Sequence, residues 1–145
     1  MERTSTKSSD KKSPYAAAVW KSNLKLSKDL LLEASAEIEA LGIEAKEFFV
    51  LDAVTEQPYP AELAQHLSMP KPTMTVYLKN LEKHGFLSRV IDRQDLRRHR
   101  LELTAPGRKI VIKSRAILTG CYAKRLMRLS ESEQRDFATL LEKLT

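Results

Sequence analysis

The stretch that decides the architecture is residues 61–86, AELAQHLSMPKPTMTVYLKNLEKHGF. It reads as two short helices joined by a proline turn. Leu63, Ala64 and Leu67 give the first, from about Ala61 to Leu67, one inward side. Ser68-Met69-Pro70 makes the turn. The second helix can begin at Lys71 or Pro72, because proline is tolerated in a first turn whose N–H groups lack intrahelical partners. It runs to about His84, with Met74, Leu78 and Leu81 inward at spacings of four and three, and Gly85 stops it. Thr73, Thr75, Val76, Lys79 and Asn80 fall on the opposite side.

Beyond Gly85 the period changes to two. Phe86 to Ile91 reads as a strand and His99 to Leu103 as its return, with a polar tip from Asp92 to Arg98, so a hairpin is expected. Upstream, Trp20, Leu24, Leu31, Ala34, Ile38 and Leu41 mark one face of a long helix from Pro14 to Gly42. Val19, Leu26, Leu30 and Leu32 widen that face, as expected of a helix with several neighbours. Phe48, Leu51 and Val54 are the buried side of a helix over residues 44–54, and the two prolines of Glu56-Gln57-Pro58-Tyr59-Pro60 make a connector. Downstream, Thr104 caps a helix carrying Ile110, Ile117, Leu118, Cys121, Tyr122, Leu126 and Leu129. Ser130 and Glu133 form a capping box ahead of a last helix with Phe137, Leu140, Leu141 and Leu144 as its apolar face.

Charge gives this arrangement a direction. The 145 residues carry a formal net charge of +6. Between Lys71 and Arg100 eight basic residues (Lys71, Lys79, Lys83, Arg89, Arg93, Arg97, Arg98 and Arg100) meet only Glu82, Asp92 and Asp95. A basic segment this concentrated fits a polyanionic partner. Small hydroxyl residues at the start of a helix fit close to phosphates, where backbone N–H groups attract anions. A helix also matches the width of the major groove, where side chains reach base edges. Arginines on the hairpin can enter the neighbouring minor groove. The fold class expected is therefore mostly α with a small β-hairpin wing, a winged helix-turn-helix.

The same residues resemble the MarR-type regulators. Ala61-Glu62-Leu63-Ala64, Thr73-Met74-Thr75 and Leu81-Glu82-Lys83-His84-Gly85-Phe86 resemble that family's core. The wing Asp92-Arg93-Gln94-Asp95-Leu96-Arg97-Arg98, followed by Leu103-Thr104 and Gly107, is similar to its D-x-x-D-x-R…L-T-x-x-G signature. The resemblance implies a homodimeric transcription regulator on a pseudo-palindromic double-stranded operator, commonly a repressor released by a small-molecule effector or an oxidant. It implies dimerisation through the first helix and the last two, here through Trp20, Leu24, Leu126, Phe137, Leu140, Leu141 and Leu144. It carries minor-groove contact to Arg97 and major-groove contact to Pro72, Thr73, Thr75 and Val76. Lys71, Lys79, Arg89, Arg93 and Arg98 complete the expected DNA-binding set, with Asp95 orienting a nearby arginine. Two departures stand out: Val76 and Leu96 occupy places where the family often has arginine. With Val76 there, base readout is expected to be apolar, for example to a thymine methyl.

Other classes find less support. One cysteine allows no internal disulfide, and Met1 to Ser13 carries no apolar signal, so a cytoplasmic location is expected. His66, His84 and His99 lack ligand spacing, no phosphate loop or nucleophile motif is present, and neither an enzyme nor a cofactor is expected. Cys121 sits at a core spacing, which argues against a redox sensor. Tyr15, Trp20 and Phe48 could line an effector pocket or simply pack. The expected division is a polar tail over 1–13 and one domain over 14–145. Within it, residues 14–42 and 105–145 serve dimerisation and 44–104 form the DNA-binding lobe. The rival readings are a winged-helix module that docks an acidic protein, and a constitutive DNA binder without ligand control.

Overall fold

A computed structural model describes residues 13–145; the tail expected over residues 1–13 lies, but for Ser13, outside the described residues. The elements in order are α1 (Ala16–Glu39), α2 (Ala45–Ala53), α3 (Pro60–His66), α4 (Lys71–Lys83), β1 (Leu87–Ile91), β2 (His99–Leu103), α5 (Ala105–Leu126) and α6 (Glu131–Glu142). This is the mostly helical, winged arrangement expected, with helix ends shifted by a residue or two.

One hydrophobic cluster holds these elements together. Phe48, Val50, Leu51 and Val54 of α2 and its C-cap meet Leu63 of α3 and Met74, Leu78 and Leu81 of α4. Leu87 and Leu101 close it from the hairpin, Ile110 and Val111 from α5, and Leu30, Ala34 and Ile38 from α1. Each large side chain fully buried here contributes roughly 1.5–3 kcal/mol relative to exposure. The start of α2 is fixed by a reciprocal box between Glu44 and Glu47, which explains why the Glu47 side chain is buried beside apolar neighbours.

The face expected along the first helix is divided. Its second half buries Leu30, Ala34 and Ile38, spaced by four, against α2 and α5. Its first half leaves Trp20 66% exposed and Leu24 partly so. Leu31 lies at the edge of the buried stripe because Leu30, one full turn before Ala34, takes the inward position. Nothing in α6 is buried. Much of the molecule's apolar surface therefore lies on the first half of α1, the end of α5 and α6.

The hairpin pairs antiparallel, with Leu87 opposite Leu103 and Arg89 opposite Leu101. Its second strand gains an additional partner: the Leu101 N–H donates to the Pro58 carbonyl at 2.7 Å, so the connector before α3 is drawn alongside the sheet. Gly85, at φ +73°, makes the left-handed turn from α4 into β1 that a side chain would strain.

The junction between hairpin and α5 is equally specific. Thr104 caps α5, its hydroxyl accepting from the Gly107 N–H at 3.0 Å and donating to the Gly85 carbonyl at 2.6 Å. The Thr104 N–H donates to the Phe86 carbonyl at 3.1 Å. Together these bonds bring the first turn of α5 so close to β1 that a Cβ on Gly107 would lie 2.0 Å from the Phe86 carbonyl oxygen. The L-T-x-x-G pattern thus has a packing cause. Gly107→Ala is expected to destabilise the fold by about 1–3 kcal/mol through overpacking, read as a lowered urea midpoint with unchanged slope. An unchanged midpoint would show that the junction yields freely.

Candidate nucleic-acid interface

The outward side of α4 carries the residues expected there. Lys71, Pro72, Thr73, Thr75, Val76 and Lys79 are all exposed, Val76 by 57%, while Met74, Leu78 and Leu81 anchor the opposite side in the core. No side chain caps the start of α4, so its first turn keeps the outward N–H character that attracts anions. The Thr75 hydroxyl donates to the Lys71 carbonyl at 2.9 Å.

The wing tip is closed by its own backbone and two carboxylates. The Asp92 N–H donates to the Arg98 carbonyl and the Arg98 N–H to the Asp95 carbonyl, both at 2.9 Å. Asp92 Oδ1 accepts from the Gln94 N–H at 2.9 Å and Asp95 Oδ1 from the Arg97 N–H at 3.0 Å. Asp95 was expected to orient an arginine. It does hold Arg97, but through the backbone, and among the described residues it makes no ion pair with a guanidinium.

A second set of contacts ties this tip to the helices. The Tyr59 hydroxyl donates to Asp92 Oδ2 at 2.6 Å. Arg98 donates to Glu62 Oε1 at 2.5 Å while its guanidinium lies 3.9 Å above the Tyr59 ring. At the wing's base, Arg89 Nε meets Glu82 Oε1 of α4 at 2.6 Å. The charges respond as these contacts require. The Tyr59 hydrogen bond holds the Asp92 carboxyl below its usual range, and that same bond pushes the Tyr59 phenol up. Glu62 is held low first by a backbone N–H and then by Arg98.

The eight cations of the basic segment therefore divide. Arg89 and Arg98 are engaged internally, and Arg100 pairs loosely with Glu102 at 3.4 Å. Lys71, Lys79, Lys83, Arg93 and Arg97 are exposed and form no ion pair among the described residues. The sequence reading placed Pro58 and Tyr59 in a connector and Glu62 in a helix motif, and missed their part in bracing the wing. Their only signal was a tyrosine between two prolines, and its partners lie more than thirty residues away.

Elsewhere the candidates separate. Phe48 is in the core, whereas Tyr15 and Trp20 are exposed, so the three line no common pocket. A cleft of about 420 Å³ does lie between α1 and the end of α5 and α6, lined by Lys25, Leu26, Tyr122, Arg125, Leu129 and Phe137 among others. Cys121 is buried, and burial pushes its thiol up, with the Glu33 charge adding to the effect; that is the reverse of thiolate activation. No group of three His, Cys, Asp or Glu among the described residues could hold a metal ion. No helix among them is long and apolar enough to cross a membrane. Of the expected dimer residues, Trp20, Leu24, Leu140, Leu141 and Leu144 are exposed, and Leu126 and Phe137 half-buried.

The Tyr59–Asp92 bond makes a pH prediction. A carboxylate depressed by folding adds stability above its ordinary value near 3.9, and that stability is lost as pH falls through the lower folded value. Tyr59→Phe removes only the hydroxyl. It is expected to speed amide exchange across residues 92–98 at neutral pH while leaving α2 and α4 protected. Acidification of the unaltered protein through the lowered Asp92 value should reduce protection of the same amides relative to their intrinsic exchange. Equal protection of residues 92–98 in Tyr59→Phe and the unaltered protein at neutral pH would mean that the bond does not hold the wing.

Comparison with known proteins agrees with this geometry. A model of the MarR family matches residues 43–99. The HTH-type transcriptional repressor Rv2887 of Mycobacterium tuberculosis is 34% identical over 114 residues, which span 77% of this chain and 82% of that protein. The structure of M. tuberculosis MarR family protein Rv2887 in complex with p-aminosalicylic acid superposes with a TM-score of 0.71. It is 30% identical, over 91% of this chain and 98% of that one. The S. aureus MepR–DNA complex, at 24% identity, shares the fold with a TM-score of 0.68 over 88% of this chain and 94% of its own.

Proposed function

Because the chain belongs to the MarR family, we propose that it is a homodimeric transcriptional repressor that binds a pseudo-palindromic double-stranded operator. The observation that carries this reading is the division of cations. Arg89 and Arg98 brace the wing against α4 and α3, while Lys71, Lys79, Arg93 and Arg97 remain outward and uncompensated. Exposed cations on a braced scaffold can neutralise phosphates without first breaking an internal pair.

In this reading α4 enters the major groove. Pro72, Thr73, Thr75 and Val76 meet base edges, with Val76 offering an apolar surface to a thymine methyl. Lys71 and Lys79 meet phosphates flanking the groove, and Arg93 adds a backbone contact from the wing. Arg97, held by Asp95, enters the minor groove. Two copies joined through Trp20, Leu24, Leu126, Phe137, Leu140, Leu141 and Leu144 would place two such helices on half-sites about one helical turn apart. The N- and C-terminal segments 14–42 and 105–145 then serve dimerisation and 44–104 the DNA, although α1 and α5 also complete the core of the lobe. The site offers no nucleophile with a base, which favours a binding protein over an enzyme, and its place of action is the cytoplasm.

Release by a small aromatic acid is the regulation to test first, since Rv2887 has been crystallised with p-aminosalicylic and salicylic acids. An effector that favours a lobe spacing unable to span the half-sites would shift the population away from the bound form. Titration of such acids against the operator complex should weaken it, and indifference would leave a constitutive binder.

The DNA reading itself is tested by fluorescence anisotropy on a duplex selected from a random library. Arg97→Ala should cost about 1–3 kcal/mol of operator affinity with thermal unfolding unchanged. Lys79→Ala should weaken all duplexes alike and lower the salt slope by about one. Unchanged affinity for Arg97→Ala would remove the wing from the interface. Failure of the unaltered protein to bind any duplex at low salt would favour an acidic protein partner instead.

A further inference from the structure

Seven residues, Asp92 to Arg98, form the wing tip without a glycine, and the four bonds described above fix the course of their backbone. Arg98 is drawn back onto Tyr59 and Glu62. Among the residues the tip then leaves outward is a neighbouring pair, Arg97 and Leu96, the latter at 78% exposure. A single exposed leucine is ordinary on a protein surface. Here, however, it stands in a closed loop whose other residues are all polar or charged, and most of its side chain is uncovered.

We infer that Leu96 is a specificity-determining residue, packing in the minor groove beside Arg97 and making the wing reject G·C pairs at the step it covers. The inference rests on the reading of the wing as a minor-groove element. Its chemistry follows from what the groove floor displays. A·T and T·A pairs offer only the acceptors adenine N3 and thymine O2, whereas G·C adds the guanine 2-amino donor. Arg97 can donate to the acceptors. Leu96 has nothing with which to accept from the amino group, so covering it strips a donor of water without replacement.

Leu96 and Arg97 act in the same direction for different reasons. Arginine responds to the width of the groove and its negative potential, which are most favourable in A-tracts. Leucine responds to the presence of the amino group itself. Truncating Leu96 therefore removes one discrimination and leaves the other.

The test uses the full chain and a duplex selected from a random-sequence library at low salt. The flanking pairs covered by the wing are changed from A·T to G·C, and to inosine·C, which lacks the 2-amino group. For the unaltered protein, G·C should weaken binding about tenfold, the effect of one unpaired donor, and inosine·C should restore it. In Leu96→Ala the G·C penalty should fall below about threefold, and Leu96→Gln, whose carbonyl can accept from guanine, should tolerate G·C best. Thermal unfolding of both variants should match the unaltered protein, because Leu96 is outside the core. An equal G·C penalty in the unaltered protein and Leu96→Ala would overturn the inference while leaving the DNA reading intact. Selection of no duplex at all by the unaltered protein would overturn both.

Discussion

Arg98 lies across the ring of Tyr59 and reaches Glu62, while the Tyr59 hydroxyl holds Asp92 on the other side of the loop. Through these contacts the hairpin is joined to the start of α3 and, by Arg89 and Glu82, to α4. A two-stranded hairpin is marginal on its own. Its direction relative to the helix that would read the major groove depends on what it leans upon. Each of these pairs is at least partly open to solvent and would do little alone, but they share one loop and restrain it from two sides. The backbone bond from Leu101 to Pro58 adds a third attachment.

That bracing gives the basic segment two kinds of cation. A guanidinium already stacked on a ring and bonded to a carboxylate, as Arg98 is, has part of its donor set committed. One fixed only through its backbone, as Arg97 is by Asp95, has no side-chain donor committed among the described residues. Pairing some charges internally so that others are presented at a defined place is a simple route from a net surplus of charge to a directed interface.

The opposite end of the molecule shows the complementary situation. The second half of α1 is committed to the core by Leu30, Ala34 and Ile38, whereas its first half and all of α6 hold leucines, a tryptophan and a phenylalanine that their own chain does not fully cover. One continuous helix thus belongs to two packing environments. A dimeric reading accounts for that division, because helices joined to a packed lobe at one end can transmit its spacing to the other.

Much of this was legible in order along the chain. The four-and-three spacing of Met74, Leu78 and Leu81, the alternation beyond Gly85, Thr104 as a cap and the Ser130–Glu133 box are local signals. Helix periodicity, strand alternation and capping each arise from residues within a few positions of one another, and the elements stand within a residue or two of where those signals put them. The resemblance to a family added the candidate DNA-binding residues, which no local rule supplies. The resemblance placed Arg97 rather than Arg98 in the minor groove, but no local rule gives a physical reason for that preference, since the two are adjacent and chemically identical. Only the folded chain separates them, because it brings Glu62 and Tyr59, thirty-six and thirty-nine positions earlier, against one guanidinium and not the other. Likewise Leu30 rather than Leu31 entered the core because α2 and α5 approach that side of α1. Such choices depend on which distant elements meet, and local spacing carries no record of that.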